Sequence, residues 1–434
     1  MSEDSWHRAR LIPVSGLGGR EEKERRAASA LLAVLGAVKE FGRSVLGGLG
    51  APAGPVEVFC EVPFKLADGQ KVRVDGLVRI IRGKKTWTML VEVKTGSAEL
   101  GQEQVEAYLD VAKEQGFDGL LTISNQIVGG AGQHPVQVSK VKTRMVQLSH
   151  LSWVRILSEA HMVKEHQGVS EPDQAWILGE LIRYLEYEGS GALTFDDMGQ
   201  HWVAIRSAAR NGTLGLRDKG IEESAARWDQ LIQFLCLTLS ARLGEQVRPV
   251  LSRKELADPD SRITALTTEL VEAGTLSGAI KIPNAVGPIY LKAYLRRMMA
   301  QVSVEVGAPE LKRHTARLNW LLRQIRNAPP EMRIDVAFAH RSATMSELLG
   351  QVIENPKSVL MDASHPPRSF TLTLAQDIGS KRKAGRRGFI TDVSALLDRF
   401  YRDVVQDLAE WTPPPPQLSS TDAAPELKEA VPAE

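Results

Sequence analysis

Apolar residues first recur at helical spacing over residues 20–46. The charged run Arg20-Glu21-Glu22-Lys23-Glu24-Arg25-Arg26 gives way there to Leu31, Val34, Leu35 and Val38, so one amphipathic helix is expected. The stretch from Gly47 to Pro55 is rich in Gly and Pro and reads as a loop. Three β-type runs follow, Val56 to Leu66, Lys71 to Ile81 and Thr86 to Lys94, separated by Asp68-Gly69 and by Arg82-Gly83-Lys84-Lys85. They predict an antiparallel meander. The period turns helical again from Leu100 to Gln115, with Val105, Leu109 and Ala112 on one side and Gly116 as the stop. A strand at Phe117 to Ser124, a Gly-rich loop at Gly129 to Gly132, a strand at Arg144 to Leu148 and a helix at His150 to Glu165 complete the first unit.

The order α-β-β-β-α-β, extended by β-α, combines a meander with a crossover helix. That predicts an α/β domain over residues 1–165 with a mixed central sheet. Residues 171–258 read as a helical region, with Trp176, Leu178, Leu181, Ile182 and Leu185 followed by Ala226 to Leu243. Strand-like runs return over 262–411, at Ala279 to Ile282, Val302 to Val306, Arg333 to Ala339 and Phe370 to Leu374, interleaved with helices such as Leu311 to Arg326. A C-terminal α+β domain is expected there. From Thr412 the chain has Pro413 to Pro416 in a row and no apolar periodicity, the composition of a disordered tail over 412–434.

Composition narrows the function classes. The 434 residues hold 54 basic and 53 acidic side chains, so no global positive field marks a nucleic-acid binder and any such role must rest on local patches. Two cysteines, Cys60 and Cys236, exclude a disulfide framework and a Cys-based zinc or iron–sulfur cluster. The start Met1-Ser2-Glu3-Asp4 has no apolar leader, and no run of about 18 apolar residues occurs, so a cytoplasmic protein without a membrane partner is expected. The histidines at 134, 150, 161, 166, 201, 314, 340 and 365 show no metal-ligand spacing. No GxxxxGK[ST] loop is present, which argues against an ATPase.

The chemistry lies in Lys71-Val72-Arg73-Val74-Asp75-Gly76-Leu77 and in Glu92-Val93-Lys94, which begins seventeen positions after Asp75. If Arg82 to Lys85 form the turn, Ile81 pairs with Thr86, Ile80 with Trp87, Val78 with Met89, Asp75 with Glu92 and Val74 with Val93. One face is then uniformly apolar, and the other gathers Asp75, Glu92 and Lys94. Facing carboxylates repel unless a cation lies between them. Oxygen ligands alone favour Mg²⁺ or Mn²⁺, which can activate water and polarise a phosphoryl oxygen. Lys94 is suited to orienting that water or offsetting charge on phosphorus.

Val74-Asp75 followed by Glu92-Val93-Lys94 resembles the PD-(D/E)XK nucleases, with Val74 where the eponymous proline would stand. Gln104-Val105-Glu106-Ala107-Tyr108 matches the QxxxY motif of the RecB and lambda-exonuclease branch. The resemblance covers roughly residues 20–160 and implies a restriction-endonuclease-like fold that hydrolyses DNA, in repair, restriction or phage defence. It implies Asp75, Glu92 and Lys94 as the catalytic core, with Gln104 and Tyr108 supporting the site and contacting DNA. The metal-ligand His common upstream in that branch is absent, and Glu24, with Glu21 a turn further out, is the acidic substitute, giving Asp75, Glu92 and Glu24 as metal ligands. Glu61 reads as a further ligand or as an ordinary sheet-face charge, the latter preferred. The run Lys381-Arg382-Lys383-Ala384-Gly385-Arg386-Arg387 is either a phosphate contact or an exposed loop. The C-terminal regions are left for target binding, a protein partner or homo-oligomer contacts. The alternative is a nuclease-like module that binds nucleic acid or protein without cutting.

Overall fold

The computed structural model describes residues 7–8, 20–66, 69, 71–128, 133–192, 195, 197–360, 364–379, 388–413 and 415. The expected loop at 129–132, the basic run 381–387 and nearly all of the expected tail lie outside the described residues. Among the described residues the chain is mixed α/β, with two open sheets and twelve α-helices. It divides into two compact units, Met1–Val304 with Thr373–Gln406, and Glu305–Leu372 with Asp407–Glu434. No helix among the described residues is long and apolar enough to cross a membrane.

The first unit begins with β1 (His7–Arg8), α1 (Arg20–Ala37) and α2 (Lys39–Gly47). One helix was expected over 20–46, and the structure divides it at Val38, which is extended at φ −101° and ψ 101°. Gly42 makes the reversal possible, because a Cβ there would fall 2.3 Å from the Leu35 carbonyl oxygen. Leu31, Leu32, Leu35 and Phe41 are fully buried. Val38 itself keeps helical bonds to Val34 and Gly42, at 2.9 and 2.8 Å, while the Lys39 N–H turns to the Gln174 side chain at 3.0 Å. Burial of the four apolar side chains, at roughly 1.5–3 kcal/mol each, outweighs that exchange.

The meander follows as β2 (Val56–Lys65), β3 (Lys71–Arg82) and β4 (Lys85–Val93). From Ile81 to Gly76 the β3–β4 register is the expected one: Ile81 opposes Thr86, Ile80 opposes Trp87 and Val78 opposes Met89, with Gly83 at φ 61° in the turn. The further expected pairs, Asp75 with Glu92 and Val74 with Val93, do not form, because the ladder ends at Gly76 opposite Val91. Next come α3 (Gln102–Gln115), closed by left-handed Gly116 at φ 69°, then β5 (Gly119–Ser124), β6 (Gln147–Ser152), α4 (Trp153–His161) and α5 (Pro172–Glu186). Strand β6 and helix α4 begin about three residues later than expected. Ser152 sets the boundary by accepting the Arg155 N–H, the N-cap bond that an alternating Ser-His-Leu-Ser run conceals.

The six strands run β1-β2-β3-β4-β5-β6, antiparallel up to β4 and parallel from β4 to β6, so the sheet is mixed as expected. One face packs on α1, α2, α4 and α5 through Leu32, Leu35, Val78, Ile80, Met89, Val91, Val93, Ile123 and Trp153. The other packs on α3 through Val62, Val74, Leu77, Leu90, Val105, Leu109 and Leu120.

This arrangement corrects the expected uniform face on β3. Val74 lies on the α3 face, opposite to that of Val78 and Ile80, and Val74 and Leu77 share it although three residues apart. Phe59 and Val62 do the same on β2. Regular strands alternate, so both strands break step together, at Glu61 (φ 52°) and Asp75.

The first unit continues with α6 (Trp202–Asn211), α7 (Ile221–Leu243), β7 (Arg248–Pro249), α8 (Arg253–Ala257), α9 (Pro259–Ala273), β8 (Thr275–Lys281), β9 (Ile289–Tyr294) and β10 (Met299–Gly307). Strands β7 to β10 pair antiparallel in sequence order. In the second unit α10 (His314–Gln324) precedes the hairpin β11 (Arg333–Phe338) and β12 (Thr344–Leu348), then α11 (Leu349–Glu354). Strand β13 (Pro367–Asp377) leads the chain back to the first unit, where α12 (Phe389–Asp403) places Phe389 4.7 Å from the Trp202 ring.

Candidate active site

The β3–β4 ladder ends at Gly76 opposite Val91. One residue further, the Asp75 carboxylate takes the Val93 N–H at 2.8 Å, standing in for a backbone carbonyl and prising the strands apart. Gly76 sits where a Cβ would come within 2.3 Å of the Leu32 side chain, so β3 lies tightly under α1 at this point. The opening is therefore framed by α1 on one face and α3 on the other.

Into it project the residues singled out from the sequence. Glu92 is 1 % exposed, and its Oε1 receives Lys94 Nζ at 2.6 Å and Gln104 Nε2 at 2.7 Å. Gln104 also donates to the Tyr108 hydroxyl at 2.9 Å, and that hydroxyl donates to the Arg73 carbonyl at 3.2 Å. Gln104 and Tyr108 thus act as one unit, as their i, i+4 spacing on α3 allows. Trp153 at the start of α4 fixes the Lys94 backbone by donating its indole N–H to the carbonyl at 2.8 Å.

Glu24 reaches the group through Lys94, with Oε2 3.7 Å from Nζ. It does not join Asp75 and Glu92 as a third ligand: among the described residues no three or more His, Cys, Asp and Glu side chains are arranged to hold a metal ion. Glu21 is farther out, 86 % exposed and 3.7 Å from Arg25. Glu61 faces Arg25 and Arg73.

The electrostatics follow from burying like charges. Loss of hydration, then the Asp75 charge, pushes the Glu92 carboxyl up to about 8, against the opposing pull of Lys94. Burial also raises Asp75, although the Val93 N–H draws it down. Burial lowers the Lys94 ammonium, but the Glu92 charge and hydrogen bond, together with the Asp75 and Glu24 charges, more than offset this, so it stays above the ordinary lysine range. Burial and then Glu92 raise the Tyr108 phenol, which remains a donor. Comparisons with protein-family models, with curated proteins and with solved structures each find no match to the chain. The side-chain geometry therefore carries the functional reading.

The donor set suits a hard divalent cation. Glu92 Oε2 is buried with no donor group of another residue beside it, and without metal only a proton shared with the neighbouring Asp75 carboxylate satisfies it, the place a divalent cation would take. Mg²⁺ is held by one or two carboxylates and keeps several waters, so the absence of a third acid in the group is compatible with it.

A second cluster was not anticipated from the sequence. Glu92 is in register with Thr122 on β5, and Thr122 with His150 on β6. Thr122 Oγ1 lies 2.8 Å from His134 Nε2 and 2.9 Å from His150 Nδ1, while His150 Nε2 meets the Gln126 carbonyl at 2.9 Å. One proton arrangement gives every ring nitrogen a complementary partner: the Val136 N–H donates to His134 Nδ1, His134 Nε2–H to Thr122, the Thr122 hydroxyl to His150 Nδ1, and His150 Nε2–H to Gln126, with the Val136 and Ser149 carbonyls then left to other donors. Both imidazoles are then neutral, in keeping with burial, which lowers His134 and brings His150 down to about 4. Sequence spacing could not reveal this group, because the sheet register assembles it. The polar run Glu92, Thr122, His150 at corresponding positions of three strands was the available signal.

Proposed function

We propose that the first unit is a metal-dependent nuclease of the PD-(D/E)XK type, with a restriction-endonuclease-like sheet, and that it hydrolyses phosphodiester bonds of DNA. The observation that carries this reading is the juxtaposition of Asp75 and Glu92 where the β3–β4 ladder opens, with Lys94 on Glu92 Oε1. Two carboxyls buried side by side, one of which holds its proton up to about pH 8, are costly to keep in a purely structural role, and such pairs cluster at functional sites.

Asp75 and Glu92 would hold Mg²⁺ or Mn²⁺, which when bound lowers the pKa of water and stabilises charge on a phosphoryl group. Lys94, held between Glu92 and Glu24, orients the attacking water and offsets charge developing on the non-bridging oxygens. Gln104 fixes Glu92 Oε1, which leaves the buried Oε2 to Asp75. Tyr108 anchors Gln104 to the β3 backbone, and Glu24 keeps Lys94 at the site.

One observation favours a second reading, a nuclease-like module that binds without cutting: the Lys94 ammonium at 2.6 Å already balances part of the carboxylate charge without an added ion. Incubating the protein with linear, circular and single-stranded DNA and with RNA separates the two. Cleavage of DNA with Mg²⁺ or Mn²⁺, abolished by EDTA, is the expected result. No cleavage with either ion, or cleavage that persists in EDTA, rejects the metal nuclease.

A further inference from the structure

Glu61 is one of four non-glycine residues with positive φ among the described residues, at 52°, and it lies inside a strand. Its neighbours pair as Cys60 with Gly76 and Val62 with Val74, which sets Glu61 directly across from Asp75. A glutamate persists in this conformation only where its surroundings over-determine it, and such residues cluster at functional sites. Here the surroundings are two arginines. The Glu61 carboxylate receives Arg25 Nε at 2.9 Å and lies 3.8 Å from Arg73 Nη1.

Both arginines are tied to the candidate active site by neighbours already described. Arg25 follows Glu24 on α1, and the Arg73 carbonyl accepts the Tyr108 hydroxyl. The break that turns Asp75 into the opening therefore also gathers two guanidiniums, from a helix and a strand, at its rim. Each guanidinium carries five N–H donors. Glu61 offers two oxygens to the pair, and Glu21 reaches only Arg25, at 3.7 Å. Donors are left over, and the side chains are accessible: Arg73 is 62 % and Arg25 35 % exposed.

We propose that Arg25 and Arg73, gathered by Glu61, form a phosphate-binding rim that seats a backbone phosphate of a polynucleotide strand adjacent to the one at Asp75 and Glu92. The planar fork of arginine matches phosphate oxygens, and a carboxylate that orients two forks while saturating neither prepares them for an anion. Glu61 is a positioning residue in this scheme and touches no substrate. The inference rests on the nuclease reading for the identity of the strand, but its test does not depend on cleavage.

The test measures binding of labelled single- and double-stranded DNA to the full chain in EDTA, over a salt series. It compares the parent with Arg25→Ala, Arg73→Ala, the double variant, and Arg82→Ala at the far end of the same hairpin. Each rim substitution is expected to reduce the slope of log affinity against log salt by about 1 and the double by about 2, with Arg82→Ala parental. Arg25→Gln and Arg73→Gln keep the stem and a donor to Glu61, so they decide the question should the alanine variants misfold. Under Mn²⁺ the same variants raise KM for DNA more than they lower kcat. A parent that does not bind DNA, or a double variant with parental slope and affinity, overturns the proposal. Arginine-dependent binding without cleavage in any metal would retain the rim and reject the nuclease. Cleavage indifferent to the arginines would do the reverse.

Discussion

At the scale of single residues, protons decide how the site behaves. The Glu92 carboxyl is raised to about 8 by burial and by Asp75, whereas in the unfolded chain it titrates near 4.5. Below about pH 4.5 both states are protonated and the native advantage is complete. It is lost as pH rises towards about 8, with a slope of up to about 1.4 kcal/mol per unit. The metal-free protein should therefore lose stability over that window, and Glu92→Gln, which cannot ionise, should flatten the loss. Chemical denaturation in EDTA at several pH values reads this directly. A parental slope in Glu92→Gln would mean that Glu92 is ionised throughout. His150 has the opposite sign. Burial holds its pKa at about 4, so the stability it contributes is present above about 6.5 and drains away as pH falls to about 4. His150→Gln should reduce the acid sensitivity of the first unit. An unchanged acid limb would show the imidazole to be solvated.

At the scale of elements, the close approach of β3 to α1 is the feature most open to mutation. A Cβ on Gly76 meets Leu32 Cδ1 at 2.3 Å and the Phe59 carbonyl oxygen at 3.2 Å, and Leu32 is fully buried. Gly76→Ala should cost about 1–3 kcal/mol through overpacking, and Leu32→Val should recover part of it. Equal stability of Gly76→Ala and parent in urea would contradict the packing. The meander, its turn and its register were legible in the alternation of Val78, Ile80, Trp87 and Met89, because a one-residue slip would turn those side chains to solvent. The helix carrying Gln104 and Tyr108 was legible from its period and from Gly116. The break at Glu61 and Asp75 was not, since nothing in local composition marks a left-handed glutamate. The division of the first helix at Val38 stayed hidden for a similar reason: its cause is the approach of Gly42 to Leu35. The cluster of Thr122, His134 and His150 is joined by pairing between strands, which spacing along the chain does not record.

At the scale of the whole molecule, 54 basic and 53 acidic residues leave function to local arrangements, and the candidate site is one: Asp75, Glu92, Lys94, Gln104 and Tyr108 meet within the first unit. The chain leaves that unit after Val304 and returns at Thr373, so the first unit is completed by a segment far along the sequence. The Arg242–Asp398 ion pair and the Phe389 ring beside Trp202 show α12 built into it. In the proposed nuclease, Asp75 and Glu92 are held together, at a cost in stability, to bind a catalytic cation. Asp75→Asn tests it most directly, in parallel melts with and without Mn²⁺ beside a DNA cleavage assay. The expected result is a melting temperature in EDTA at or above the parent's, no upward shift with Mn²⁺ where the parent shifts, and loss of cleavage by at least about 100-fold. An Asp75→Asn protein that unfolds in EDTA, or that still cuts DNA at the parental rate, would show the carboxylate pair to be structural.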